Sequence, residues 1–181
     1  SCRVTKECSS KKFIIFLGGQ EGENKRALLG CRFNPLKKKL KDFGYQVYQY
    51  KVTKASEVLT ILLEDFEPET VDYVLLAGHG FKGKKIALGA RYHEPDNFFQ
   101  EECFFDQGGR SELSEIVSLK KKAKFILQSC MVGRHVSDGL NIAQAISEHF
   151  QRSVIAPNFL ITEVPYFESR TRSGTFVWYF I

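Results

Sequence analysis

Short apolar runs alternate with amphipathic segments along this 181-residue chain. None of the runs approaches the roughly 18 residues that a membrane span requires, and each has the length of a buried strand. The four runs are Phe13–Leu17, Val71–Ala77, Ala123–Leu127 and Val154–Ala156. Buried strands that alternate with helices favour a largely parallel sheet covered on both faces. We therefore predict an α/β fold, a three-layer sandwich with a mainly parallel central sheet flanked by helices.

The other periodic segments supply the helices and the outer strands of this fold. A helix is predicted to begin at Pro35 and to stop at Gly44. Its inner face would carry Leu36, Leu40 and Phe43. Further helices are predicted at Ala55–Phe66, Ser111–Leu119 and Asp138–Phe150, and further strands at Tyr45–Val52, in a small hairpin near Ile86–Tyr92, and at Thr175–Ile181.

The composition is that of a globular chain, with 43% hydrophobic and 26% charged residues. One domain is expected over residues 1–181, in which residues 1–11 would form a flexible N-terminal arm. No signal peptide is visible. The five cysteines are odd in number and irregularly spaced, without a CxxC pair. We therefore expect reduced thiols in a cytoplasmic, reducing compartment, and neither a structural metal nor a cofactor.

The charge pattern is mildly basic, with 26 Lys and Arg against 21 Asp and Glu and a net charge of +5. Lysines cluster at Lys37–Lys39 with Lys41, at Lys82 with Lys84–Lys85, and at Lys120–Lys122 with Lys124. Such clusters can bind polyanions, although most are solvated helix ends and loops. The chain has neither zinc-finger spacing nor a helix dense in Arg and Asn, so we expect no nucleic-acid partner and no membrane partner. The oligomeric state stays open.

Two residues with catalytic chemistry follow predicted core strands. His79 comes after Val71–Ala77 and is flanked by glycines, and Cys130 comes after Ala123–Leu127. If these strands are neighbours, both side chains lie at the carboxyl edge of the sheet, where parallel sheets gather ligands. A cysteine nucleophile needs a group that protonates the leaving amine, and histidine titrates in the right range. The N–H groups of Gly80 and Cys130 could form an oxyanion hole.

A lone cysteine or histidine after a strand is usually structural, but joint placement at two strand ends is much less expected by chance. The other histidines compete poorly with His79. His93 lies in an irregular segment and His149 on a predicted helix. His135 is expected in a loop that could line the cleft.

These two strand-end motifs resemble those of the clan CD, or caspase-fold, cysteine peptidases, which include caspases, metacaspases, legumain, gingipains and the CHAT peptidases. The hallmark of that clan is an apolar strand ending in His-Gly and a later one ending in Ala/Ser-Cys, as Val71–Gly80 and Ala123–Cys130 do. The resemblance extends from about Phe13 onward. It implies the caspase-hemoglobinase fold and a cysteine endopeptidase that cleaves polypeptides through a His79–Cys130 dyad. The order of His before Cys argues against class I amidotransferases.

Two subfamilies compete within this resemblance. Gln128-Ser129-Cys130 resembles the caspase Gln-Ala-Cys, and in caspases that Gln and two arginines hold an acidic P1 side chain. Arg26 and Arg170 stand at comparable places here, where they either hold an acidic P1 residue, as the resemblance implies, or are ordinary surface residues. The run Ser129–Gly133 and the helix that follows resemble the CHAT peptidases instead. A continuous helix there departs from the cleavable linker of caspases, so activation by linker cleavage is not expected.

Two further functions stay open. The chain could be a caspase-fold interaction or self-processing module that responds to a regulatory domain, a partner or a polyanion such as an inositol phosphate, without general protease activity. A flavodoxin-like nucleotide binder is supported only by the glycines of Gly18–Gly22, which match neither GxGxxG nor a P-loop.

Overall fold

The structure, a computed structural model, describes residues 11–19, 33–89, 93–105, 116–158 and, for the backbone, 176–179. In chain order its elements are β1 (Lys11–Gly18), α1 (Asn34–Asp42), β2 (Tyr45–Val52), α2 (Ala55–Glu64), β3 (Val71–Ala77), β4 (His79–Phe81), β5 (Lys85–Ala87), β6 (Phe98–Gln100), β7 (Leu119–Gln128), α3 (Ile142–Phe150), β8 (Ser153–Pro157) and β9 (Phe176–Tyr179). Short 3-10 turns cover Pro95–Asn97 and Glu101–Phe104.

The central sheet has six strands in the order β2-β1-β3-β7-β8-β9. The first five are parallel to one another, and β9 pairs with β8 in the antiparallel direction. The pairing of β7 with β8 is short and joins only residues 124–126 to residues 153–155. The predicted α/β class with a mainly parallel sheet is confirmed.

Helices cover both faces of this sheet, as a strand that is apolar on both sides requires. On one face, Leu36 of α1 packs in a cluster with Phe13, Ile15, Leu17, Leu75, Ala77 and Ile126. On the other face, a larger cluster joins α2 and α3 to the alternate strand residues Ile14, Phe16, Val74, Leu76, Phe125 and Leu127. Among the helices that the structure describes, none has the length and apolar character needed to cross a membrane.

A second, antiparallel sheet of β4, β5 and β6 covers the α2–α3 face near the carboxyl ends of the central strands. A Cβ atom built on Gly78 would lie 2.3 Å from the Ala87 carbonyl oxygen, and one on Gly18 would lie 3.0 Å from the same atom. The backbone of β5 therefore approaches β1 and β3 more closely than side chains would permit. The hairpin predicted near Ile86–Tyr92 is wrong for Ile86 and Ala87, which lie in β5 between β4 and β6, and residues 90–92 lie outside the described residues.

Three predicted details are wrong. The helix predicted over Ser111–Leu119 is absent from residues 117–119, because the Val71 N–H donates to the Ser118 carbonyl oxygen and Leu119 already belongs to β7, and residues 111–115 lie outside the described residues. The inner position predicted for Phe43 is 76% exposed, because the residue caps α1 where the chain turns. Helix α3 begins four residues later than predicted, because the Asn141 and Gln144 side chains cap each other's backbone N–H.

Candidate active site

The two residues predicted as a catalytic pair follow the ends of adjacent strands, at equivalent positions in the strand register. β3 and β7 are parallel neighbours, and their last register pair joins Ala77 to Gln128. His79 and Cys130 each follow two residues later. The Gly78 N–H donates to the Gln128 carbonyl oxygen at 3.4 Å, which keeps the two chains together beyond the last register pair. The expected adjacency of the two strands, with both residues at one edge of the sheet, is confirmed.

Gly80 brings the two segments into direct backbone contact. A Cβ atom built on Gly80 would lie 2.0 Å from the Cys130 carbonyl oxygen and 3.1 Å from Cγ1 of Val132. Because Cβ atoms essentially never come that close to a carbonyl oxygen, a residue larger than glycine would displace the Cys130 backbone. The residue that follows His79 is therefore packed against Cys130 itself.

The chain reverses direction immediately after Cys130. Met131 has a left-handed conformation with φ +58°, which costs a non-glycine residue roughly 1–2 kcal/mol. The Gly133 N–H then donates to the Pro157 carbonyl oxygen at 2.8 Å. A Cβ atom on Gly133 would lie 2.9 Å from the Ala156 carbonyl oxygen. The turn is thus held against the end of β8, with a strained residue directly beside Cys130.

The turn between β4 and β5 packs against the loop that follows Cys130. A Cβ atom on Gly83 would lie 2.9 Å from Cγ of Arg134. The Gly83 carbonyl oxygen accepts a hydrogen bond from the Ile142 N–H at 2.8 Å. Because β4 carries His79, these contacts fix the segment of His79 relative to the segment of Cys130 at a second place.

Two polar atoms at this edge are buried without a hydrogen-bond partner among the residues that the structure describes. They are Nε2 of His79 and Oγ of Ser129. Ser129 is 1% exposed, whereas His79 and Cys130 are half-buried. Buried polar atoms are nearly always paired, so an unpartnered imidazole nitrogen and hydroxyl at one sheet edge call for an explanation beyond folding. A bound peptide group could supply the missing partners.

The described cysteines differ sharply in their surroundings. Cys103 lies in the turn Glu101–Phe104, and its Sγ donates to the Gln100 carbonyl oxygen at 2.7 Å. Burial raises the pKa of the Cys103 thiol to about 12, so this thiol stays protonated near neutral pH and is a poor nucleophile. Cys130 instead lies at the carboxyl edge of the sheet beside the segment that carries His79.

Of the three residues predicted to bind substrate, the structure describes only Gln128, because Arg26 and Arg170 lie outside the described residues. Gln128 is 3% exposed and pairs in register with Ala77. Ala77 and Ile126 both belong to the cluster on the α1 face. Because side chains alternate along a strand, Gln128 lies on the same face as these two residues.

The other described histidines lie in different surroundings. His93 and His135 are exposed, and His135 lies in the loop that follows Cys130. His149 on α3 has Nε2 3.3 Å from Oε1 of Glu101. Over the described part of the chain, no three His, Cys, Asp or Glu side chains are grouped in a way that could hold a metal ion.

Sequence reasoning missed two residues that the geometry makes prominent. The left-handed conformation of Met131 has no sequence signal, because methionine has no preference for positive φ. Arg152 lies far from the Lys120–Lys122 cluster in sequence, yet the pairing of β7 with β8 brings it to the same end of β7. Only the strand order of the sheet could have predicted that proximity.

Comparison with known proteins finds similarity in structure to solved proteins. No protein-family model matches the sequence, and no curated protein matches it. The chain is similar to a crystal structure of caspase-1 from Spodoptera frugiperda, with 18% sequence identity and a TM-score of 0.43. The match covers 84% of this chain and 62% of the caspase-1 chain, so this chain spans less than two thirds of that protein. A match of this degree assigns neither a fold family nor an activity.

Proposed function

We propose that this chain is a caspase-like cysteine endopeptidase in which Cys130 is the nucleophile and His79 the general acid and base. The observation that supports it most is the parallel register of β3 and β7, which carries both residues to one edge of the sheet with Gly80 against the Cys130 carbonyl. Chemistry in parallel sheets gathers at that edge. Nε2 of His79 is buried and has no hydrogen-bond partner among the described residues, so within them the imidazole nitrogen is not committed to a bond of the fold.

The proposed reaction forms and then hydrolyses a thioester. Sγ of Cys130 passes its proton to His79 and attacks the peptide carbonyl carbon, and the N–H groups of Gly80 and Cys130 donate to the resulting oxyanion. The C–N bond breaks as His79 gives its proton to the leaving amine. Water then attacks the thioester while His79 takes up a proton, which releases the carboxylic acid and restores the thiol.

For the substrate we propose an acidic P1 side chain. Gln128 lies on the α1 face two residues before Cys130, and its amide could donate to a carboxylate. Arg26 and Arg170 are the cations that the caspase resemblance assigns to the same pocket. Fluorogenic peptides that carry Asp or Glu at P1, compared with Asn or Gln, test this choice. Faster cleavage of the uncharged peptides would overturn it.

The test of the activity compares two cysteine variants. We expect Cys130→Ala to lower kcat/KM by a factor on the order of 10⁴ or more and to abolish labelling by an electrophilic peptide probe. Cys103→Ala removes a thiol that burial keeps protonated and should leave both readouts within about twofold of wild type.

Two outcomes would decide against this function. Cleavage by Cys130→Ala at the wild-type rate would exclude Cys130 as the nucleophile. A wild-type chain that folds cooperatively but neither cleaves peptides nor reacts with the probe would favour the non-peptidase interaction module instead.

A further inference from the structure

A second site of distinct chemistry lies at the opposite end of β7 from Cys130. A cavity of about 450 Å³ is lined by residues 121–124 of β7 and residues 151–153, at the start of β8. From Lys124 to Cys130 the chain advances six residues, which is about 20 Å along an extended strand. This basic cavity therefore does not belong to the proposed active site.

Among the described residues, those that line the basic cavity carry four formal positive charges and no carboxylate. The cations are Lys121, Lys122, Lys124 and Arg152. Lys121 and Lys122 are exposed, and Lys124 is half-buried. A concentration of like charge in so small a volume is unfavourable unless solvent or an anion compensates it.

The neighbouring acidic group is already engaged. Asp72 of β3 accepts a hydrogen bond from Nζ of Lys120 at 2.9 Å through one oxygen. Its other oxygen accepts from the Lys12 N–H at 2.9 Å. Asp72 therefore pairs with Lys120, which lies outside the lining of the cavity. It does not pair with any of the four lining cations.

Arg152 is fixed before any ligand binds. Its Nε donates to the Lys120 carbonyl oxygen at 2.8 Å, and Nη2 donates to that of Leu119 at 3.3 Å. Nη1 donates to the carbonyl oxygens of Phe150 and Gln151 at 3.1 and 3.0 Å. The bonds from Nη1 occupy carbonyl groups at the end of α3 that would otherwise repel an anion. All four bonds leave the guanidinium formally charged. A cation held in this way loses little conformational entropy when an anion arrives.

We propose that the basic cavity binds a small anion that carries several phosphoryl groups. A volume of about 450 Å³ is in the range of small-molecule sites, whereas protein and nucleic-acid partners use broader surfaces. Phosphoryl oxygens suit the lysines, which bind them as point charges, while Arg152, whose N–H groups mostly donate to carbonyl oxygens, contributes its fixed positive charge. The site is independent of the proposed peptidase activity.

The experiment measures tripolyphosphate binding by titration calorimetry at fixed ionic strength. We expect wild type to bind tripolyphosphate and K121Q/K122Q/K124Q to bind it at least about tenfold more weakly, because hydrogen bonds to charged groups are lost. K37Q/K38Q/K41Q removes the same charge from α1 and should stay within about twofold of wild type. Cys130→Ala should bind like wild type. Thermal unfolding without ligand checks that each variant is folded.

Several outcomes would overturn the proposal. They are absent binding by wild type, equal weakening in the two triple-lysine variants, and replacement of tripolyphosphate by sulfate at the same ionic strength without loss of affinity. Tighter binding of a short single-stranded DNA than of tripolyphosphate, lost in the same cavity variant, would assign the surface to nucleic acid and reject a small anion.

Discussion

Two buried serines flank β7, and they differ in whether the side-chain hydroxyl has a hydrogen-bond partner among the described residues. Ser118 precedes the strand, is 0% exposed, and its Oγ donates to the Leu62 carbonyl oxygen at 2.5 Å. Ser129 follows the strand and is 1% exposed, and its Oγ has no partner among the described residues. The polar group at the amino end of β7 is part of the hydrogen bonding that builds the fold. The polar group at the carboxyl end takes no part in that hydrogen bonding within the described residues.

The same difference separates other polar features of the two ends. At the amino end, Arg152 donates to a backbone carbonyl oxygen, and Lys120 donates to Asp72. At the carboxyl end, Nε2 of His79 has no hydrogen-bond partner in the described part of the chain, and Met131 has a strained left-handed conformation. Leaving a buried polar group unsatisfied costs roughly 1–3 kcal/mol. A fold tolerates such costs most readily where the same groups serve a bound ligand, which supports the active site proposed at the carboxyl end.

The largest effect that tests this contrast is expected for Gly80→Ala. The new methyl group would meet the Cys130 carbonyl oxygen, so the two segments must separate. We expect kcat/KM to fall at least about 100-fold, because a displacement near 1 Å of reacting groups has that consequence. Gly44→Ala, a glycine at φ +88° with nothing near its Cβ, should lose stability but keep its activity per folded molecule.

Two labelling reagents separate a displaced site from an unfolded chain. In Gly80→Ala, a small alkylating reagent should still modify Cys130, whereas an electrophilic peptide probe should react far more slowly. Unchanged reaction with the peptide probe would mean that the contact between Gly80 and Cys130 does not shape the site.

The serine pair gives the next largest effect, and it concerns stability. We expect Ser118→Ala to lower the free energy of unfolding by about 1–2 kcal/mol, because the Leu62 carbonyl loses its donor. Ser129→Ala removes an unpartnered hydroxyl and should change that free energy by less than about 0.5 kcal/mol, or raise it. Urea denaturation measures the difference between the two variants, and equal m-values show that the comparison is valid. Equal losses would remove the contrast between the two ends of β7.

The local sequence pattern was enough to predict the buried strands and the residues that lie at their ends. The apolar runs before His79 and Cys130 specified buried strands, and parallel pairing then required a common edge. Tyr45–Val52 was predicted with its observed bounds. The start of α3 was wrong, because the mutual cap of Asn141 and Gln144 outweighs the helical periodicity that begins earlier.

Tertiary placement could not be predicted in the same way. The basic cavity depends on Arg152 reaching carbonyl groups of Leu119 and Lys120 more than thirty residues away. The sequence showed the Lys120–Lys122 cluster with Lys124 but not the residue that fixes the cavity from the other side. Likewise, Ser129 belongs to a recognisable motif, but only the structure shows that its hydroxyl is buried and unpartnered.

An effect that is seen only at alkaline pH concerns Cys103, a thiol that resembles Ser118 in being bonded within the fold. Burial raises its pKa from 9.0 to about 12. Between these pH values the unfolded chain has lost the thiol proton that the folded chain keeps, so the free energy of unfolding falls as pH rises. Below about pH 9 this contribution is fully present.

Burial also raises the pKa of Tyr45 and Tyr50, which gives alkaline destabilisation of the same sign. The contribution of Cys103 is therefore isolated as a difference between two chains. Denaturation of wild type and Cys103→Ala between about pH 8 and 11 should give a steeper decline for wild type, since the variant has no thiol there to titrate. Parallel curves would show that the Cys103 thiol is not held protonated by the fold, and the structural thiol would then no longer serve as the counterpart of Cys130.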